Sequence, residues 1–115
     1  MKNVYIHGDV VLVEIEKIPT SAKRVQTDER GIVLAEGEAT GHYHAITEGN
    51  LCELYEDNGK LYLLVKEEIP KIYHQEHGEF RTLEGKTTPL RKGTYEKMTP
   101  REWNHFEEEI RRVSD

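Results

Sequence analysis

The sequence predicts an all-β fold, a small antiparallel β-barrel or roll carrying one C-terminal α-helix. Three observations predict it. Short apolar stretches recur with the period of two that marks half-buried strands. Turns bearing glycine separate them, the plainest being Asp57-Asn58-Gly59. Only the end of the chain, from Thr99, changes to apolar steps of three and four. At 115 residues the chain has room for one core and not for two. Its 36% hydrophobic and 33% charged content describes a thin-cored, well-solvated protein that oligomerisation would help, better suited to a small barrel or roll than to a layered α/β fold.

From Val4 the residues alternate through Val11, Val13 and Ile15 against Glu14 and Glu16, with Gly8-Asp9 dividing the stretch into two strands. Residues 19–31 are polar, without either periodicity, and read as a long loop whose Lys23, Arg24 and Arg30 are either solvated or turned to an anionic ligand. Residues 31–35 form a short apolar strand, and Gly37 and Gly41 beyond it permit a bend or bulge before the next one. Residues 51–56 and 60–66 flank Asn58-Gly59, whose tolerance of positive φ makes this the firmest hairpin in the chain. After Pro70, residues 71–74 resume as a strand, residues 80–83 form another, and a turn over residues 89–93 leads into a strand over residues 94–98. Thr99 at a cap position, Pro100 at the first helical position and Glu102 three residues after the cap open a helix reaching about Val113. Trp103, Phe106, Ile110 and Val113 form its narrow apolar stripe, with His105 off it. Residues 1–98 are thus expected to form the β domain. Residues 99–115 are expected to form a helix packed on that domain, laid over an open end of the barrel, or placed at a subunit interface.

The chemistry concentrates in residues 41–48, Gly-His-Tyr-His-Ala-Ile-Thr-Glu. On a regular strand His42, His44 and Glu48 share one face, and two imidazoles with a carboxylate are half of a common transition-metal site. The other half is available in His74-Gln75-Glu76-His77, where His74 and Glu76 share a face and His77 joins them only if the turn at Gly78 re-aims it. A strand can also carry two histidines for no chemical reason, as surface or pocket residues. The single cysteine, Cys52, lies between apolar neighbours and reads as a small buried hydrophobe; it allows no intramolecular disulfide.

The net charge of −6 comes with no basic stripe, which argues against duplex nucleic acid as a partner. An acidic surface attracts cations but equally keeps a small protein soluble. No apolar run is long enough to span a membrane, and the first nine residues lack a signal peptide's apolar core, so the expected location is the cytoplasm.

The histidine stretch resembles the first motif of the cupin superfamily, small β-barrels that hold a metal through His-x-His, a following Glu and a later His. His42, His44 and Glu48 stand at the first three of those positions. The superfamily's last His follows a Pro-x-Gly turn, whereas residues 89–96 contain none, so the resemblance implies that His74 or His77 substitutes from an earlier strand. A longer stretch, roughly residues 8–95, is similar to a small, functionally unassigned family of bacterial and phage proteins. Gly8-Asp9-Val10, residues 34–38, Thr40-Gly41-His42-Tyr43-His44 and Glu76-His77 carry that similarity, which implies no activity and leaves a phage origin open.

The sequence therefore predicts a cupin-like protein holding one divalent transition metal, Zn or Fe first, through His42, His44 and His74, with Glu48, Glu76 or His77 completing the site. Were the site catalytic, in metal-assisted hydrolysis or oxygen chemistry, Glu48 or Glu76 would be the general base and a small molecule the substrate. The alternative is a module that binds a ligand, sequesters it or assembles with other chains, including a homo-oligomer formed through the helix, without turnover.

Overall fold

A computed structural model describes residues 3–26, 32–36, 43–46, 51–68 and 80–114. The chain opens with a tight hairpin of β1 (Val4–His7) and β2 (Val10–Ile15), in register from Val4↔Val13 to His7↔Val10. Of its two turn residues only Gly8 has positive φ, 57°, as the first central position of a type II′ turn requires. The other firm hairpin joins β6 (Cys52–Asp57) to β7 (Lys60–Val65), with Asn58 and Gly59 both at positive φ, 51° and 81°. Two successive positive values define the type I′ turn, whose twist matches that of the strands it connects.

Five shorter strands and one longer one complete the described β structure: β3 (Lys23–Arg24), β4 (Ile32–Glu36), β5 (Tyr43–Ile46), β8 (Phe80–Arg81) and β9 (Thr87–Thr88), then β10 (Gly93–Met98). Eight of the ten form one antiparallel sheet in the order β3-β6-β7-β10-β2-β1-β8-β9, while β4 and β5 pair separately. The fold is all-β with one helix, as expected, but the sheet does not close. Among the described residues β3 and β9 stand at its two ends and do not pair with each other. Two further departures concern loops. Lys23 and Arg24, expected in an irregular stretch, pair with Glu56 and Tyr55, so the long loop is interrupted by an edge strand. The strand expected over residues 80–83 stops at Arg81, because Thr82–Lys86 turns back to start β9.

Strand β2 divides the interior. Val10 and Leu12 join Tyr5, Leu63, Phe80 and Tyr95 in the larger core, whereas Val11 and Val13 join Val4 and Met98 in a smaller one on the opposite face. Half-burial was the expectation for this strand, and both its faces are buried instead, because α1 (Pro100–Ser114) covers the second one. Trp103 and Phe106 make that cover, their rings 5.8 Å apart. The helix therefore lies on a sheet face of its own chain. Its start is capped as predicted: the Glu102 amide donates to Thr99 Oγ1 at 3.2 Å and the Thr99 amide donates to Glu102 Oε1 at 3.0 Å.

In the larger core the Tyr5 and Tyr95 rings meet edge to face, 5.5 Å apart. The Tyr95 hydroxyl, wholly buried, donates to the Arg91 carbonyl at 2.6 Å, and burial pushes its ionisation far above the usual phenol range. Leu90, within the expected turn, is also fully buried and pins that turn to the core.

Candidate functional site

Strands β4 and β5 form a small antiparallel ladder in which Ile32↔Ile46 and Val33↔Ala45 are followed by Ala35↔His44 and Glu36↔Tyr43. The register steps past Leu34, so a bulge lies in β4 across from the histidine strand. A bulge was expected at the flanking glycines; this one falls inside an apolar run. It leaves Tyr43 and His44 in regular strand pairing, and Tyr43 is the residue between the two histidines of the motif. Of the predicted metal ligands the structure places only the backbone of His44. His42, Glu48, His74, Glu76 and His77 lie outside the described residues, as does the strand expected over residues 71–74. Among the described residues no three His, Cys, Asp or Glu side chains gather as a metal would require.

His7 and Cys52 are accounted for by packing. His7, to which the sequence pointed for no role, is buried, at 5% exposure. It ends β1, and its ring centroid lies 6.0 Å from that of Phe80 at an interplanar angle of 63°. The signal was in the alternation itself, since His7 continues the face of Tyr5. Cys52 is buried in the larger core, as a small hydrophobe would be. His105 is exposed on α1.

One cluster of charges is fully assembled. Glu53 in β6 receives the Tyr55 hydroxyl on Oε1 at 2.7 Å, Lys66 Nζ on Oε2 at 2.9 Å and Arg24 Nη1 on the same oxygen at 3.3 Å. Its side chain is 15% exposed, although those of Arg24 and Lys66 are 60% and 48% exposed. The hydrogen bonds from Lys66 and then Tyr55 hold the Glu53 carboxyl below the usual range, and donation to Glu53 raises the Tyr55 phenol. A carboxylate so engaged is a poor base and a poor metal ligand. It acts as a clasp between the edge strand and the hairpin beside it, and it removes Arg24 from the cations that a loop would have offered an anion. Beside it a groove of about 430 Å³ runs over Ile18, Pro19, Leu64 and the Tyr55 ring, a volume within the range of small-ligand sites.

These observations define a class: a small open antiparallel β-sheet with one amphipathic helix laid across it and a separate two-stranded ladder that carries His44. No helix among the described residues is long and apolar enough to cross a membrane. The chain belongs to the family of a domain of unknown function, DUF8820, which matches residues 6–99 and so takes in the second half of β1 and all of β2 to β10, stopping just before the helix. No curated protein and no solved structure matches the chain.

Proposed function

We propose that the protein binds one divalent transition metal, Zn or Fe, through His42, His44 and His74, with Glu48, Glu76 or His77 as a further ligand, in a cupin-like arrangement. The observation that carries this reading is the strand pairing of Tyr43 and His44 with Glu36 and Ala35. Regular pairing is the local geometry in which residues two apart fall on one face, and His-x-His then becomes a pair of ligands rather than two unrelated side chains. The donor set is borderline in softness, which suits Zn or Fe better than Mg or Ca. A metal held there would supply Lewis acidity or oxygen activation, and whichever of Glu48 and Glu76 is not a ligand would take the proton.

Elemental analysis of the purified protein, repeated on a His42→Ala, His44→Ala double variant, tests the proposal. About one metal per chain is expected in the parent and a near-complete loss in the variant, since removing two of three or four ligands leaves too few to hold an ion. Stoichiometric metal in the double variant would overturn the reading, as would a parent protein that neither carries metal nor takes up Zn on dialysis. The groove over Tyr55, Pro19 and Leu64 favours the second reading, a module that binds a small ligand without turnover. In that reading the helix, whose Ile110 is 47% exposed, is where further copies of the chain would associate.

A further inference from the structure

The groove of about 430 Å³ beside the Glu53 cluster has one wall of strands and one of loop. To reach β3 from β2 the chain must pass β10, β7 and β6, in the order in which these strands lie in the sheet. Thr94, Leu64 and Tyr55, one from each of those strands, line the groove, and Ile18, Pro19 and Ala22 of the passing segment line it from the other side. Thr94 is paired with Leu64 and Leu64 with Glu53, so the three share one sheet face, and Tyr55, two residues from Glu53, shares it as well. The row through Tyr55 continues by way of Tyr62 and Glu96 to Val13, which α1 covers, so groove and helix occupy the same face. The loop wall is fixed in place. Ser21 Oγ donates to Asp57 Oδ2 at 2.8 Å, the Ala22 amide donates to the Pro19 carbonyl at 3.0 Å, and Lys23 and Arg24 then pair with β6.

The charges beside this groove are held by their side chains. Lys66 Nζ and Arg24 Nη1 lie on the same oxygen, Glu53 Oε2, at 2.9 and 3.3 Å, and the Tyr55 hydroxyl lies on Oε1 at 2.7 Å. Glu53 adjoins the groove twice, through its strand partner Leu64 and through the Tyr55 ring. Donation to Glu53 keeps the Tyr55 phenol protonated, so the cluster holds two cations and one carboxylate. Arg24 balances Glu53, and Lys66, with 48% of its side chain exposed, leaves one positive charge in surplus. Nearby charges do not cancel that surplus: Glu16 and Lys17, which also line the groove, offset each other, and Asp57 is paired across the hairpin with Lys60. A cation fixed by its own ion pair beside a half-buried apolar surface is a site whose ordering cost has already been met in folding.

We propose that the groove binds a small aryl monocarboxylate, its ring lying over Leu64 and Pro19 against Tyr55 and its carboxylate taken by Lys66. The inference rests on the reading of this groove as a ligand site and adds the charge of the ligand to it. An apolar body matches the lining, and a single negative charge matches the one positive charge that Glu53 leaves unbalanced. A cationic ligand would meet Lys66 as a like charge.

Calorimetric titration of the full chain with 3-phenylpropanoate tests this, with 3-phenylpropanamide, the same body without the charge, as comparison. Saturable binding of the carboxylate is expected, at least about tenfold tighter than that of the amide. Lys66→Gln should remove that preference and leave the amide unaffected. Arg24→Gln should also remove it, because Glu53 then neutralises Lys66, and the Arg24→Gln, Glu53→Gln double variant, which loses one charge of each sign, should restore it. Arg24 and Lys66 are exposed, so their variants should melt close to the parent. Ala22→Leu, which adds bulk at the groove wall, should weaken both compounds, and the His42→Ala, His44→Ala variant should bind both like the parent. Equal affinity for the two compounds, or a preference undiminished in Lys66→Gln, would overturn the proposal while leaving the groove a ligand site. Binding that ignores Ala22→Leu would overturn its placement in the groove. Absence of saturable binding by either compound up to about 10 mM would overturn the proposal and the ligand-site reading together.

Discussion

Thr99→Ala strikes the joint between sheet and helix. It deletes the hydroxyl that accepts the Glu102 amide at 3.2 Å, leaving one of the orphan donors of the first helical turn without its partner. Loss of such a cap costs about 1 kcal/mol, within a range of roughly 0.5 to 2. The cost is felt globally, because Trp103 and Phe106 in the first two turns cover Val11, Val13 and Met98 and cannot loosen without opening the smaller core. For a chain of this length 1 kcal/mol corresponds to a fall of about 4 °C in Tm. Trp103 is the only tryptophan, so its fluorescence reports the helix directly while circular dichroism follows the sheet. The two transitions should stay coincident and shift together. A variant melting within about 1 °C of the parent, with unchanged Trp103 emission, would refute the reasoning. The other half of the box carries a pH signature. The Thr99 amide, followed by the Thr99 hydroxyl, holds the Glu102 carboxyl below its usual 4.5. A depressed carboxylate contributes its stability above that value and loses it as pH falls through the lower folded one, so acid should narrow the gap between the parent and Glu102→Gln.

Gly59→Ala should cost about 1 to 2 kcal/mol although nothing lies within 4 Å of the added methyl, because φ there is +81° and the strain is in the backbone itself. A urea midpoint equal to the parent's would show that the hairpin relaxes to another turn. Phe80→Ala empties the centre of the larger core, where the ring is fully buried against His7, and should cost about 3 to 5 kcal/mol. That is a large share of a small domain's stability, so the expected readout is loss of cooperative melting near room temperature; a sharp transition within a few degrees of the parent's would contradict the placement of Phe80.

What could be read in advance was local. Asn58-Gly59 and the Thr99, Pro100 and Glu102 cap announce themselves because the residues that make the turn or the cap are neighbours in sequence. Strands β3 and β9 gave no such sign. Lys23-Arg24 and Thr87-Thr88 have neither apolar content nor alternation, and they are strands only because Tyr55, Glu56, Phe80 and Arg81 offer them hydrogen bonds. The double burial of β2 was hidden for the same reason, since its second cover, α1, follows some ninety residues later. At the histidine motif the pattern was legible and the strand at Tyr43 and His44 agrees with it, but bringing His74 to the same place is a long-range matter that residue spacing alone does not govern. The pairing of Arg24 was hidden by the same gap, since its partner, Glu53, lies on another strand.

The place of β10 in the sheet has a consequence for how the protein comes into being. It pairs with β2 on one side and β7 on the other, so the last of the described strands in chain order lies in the middle of the sheet. Until residues 93–98 leave the ribosome, the N-terminal and central hairpins have no shared partner, and each exposes an open edge of backbone donors and acceptors. Without β10 the sheet falls into two parts, β3-β6-β7 and β2-β1-β8-β9, and the β7 and β2 edges left open are templates for unwanted pairing. Release of β10 is the event that joins them, and the helix that follows it immediately seals the face just formed. Such a sheet gains little from folding before β10 is made, so the stretch between β7 and β10 is where a pause in translation would send the open edges to aggregates.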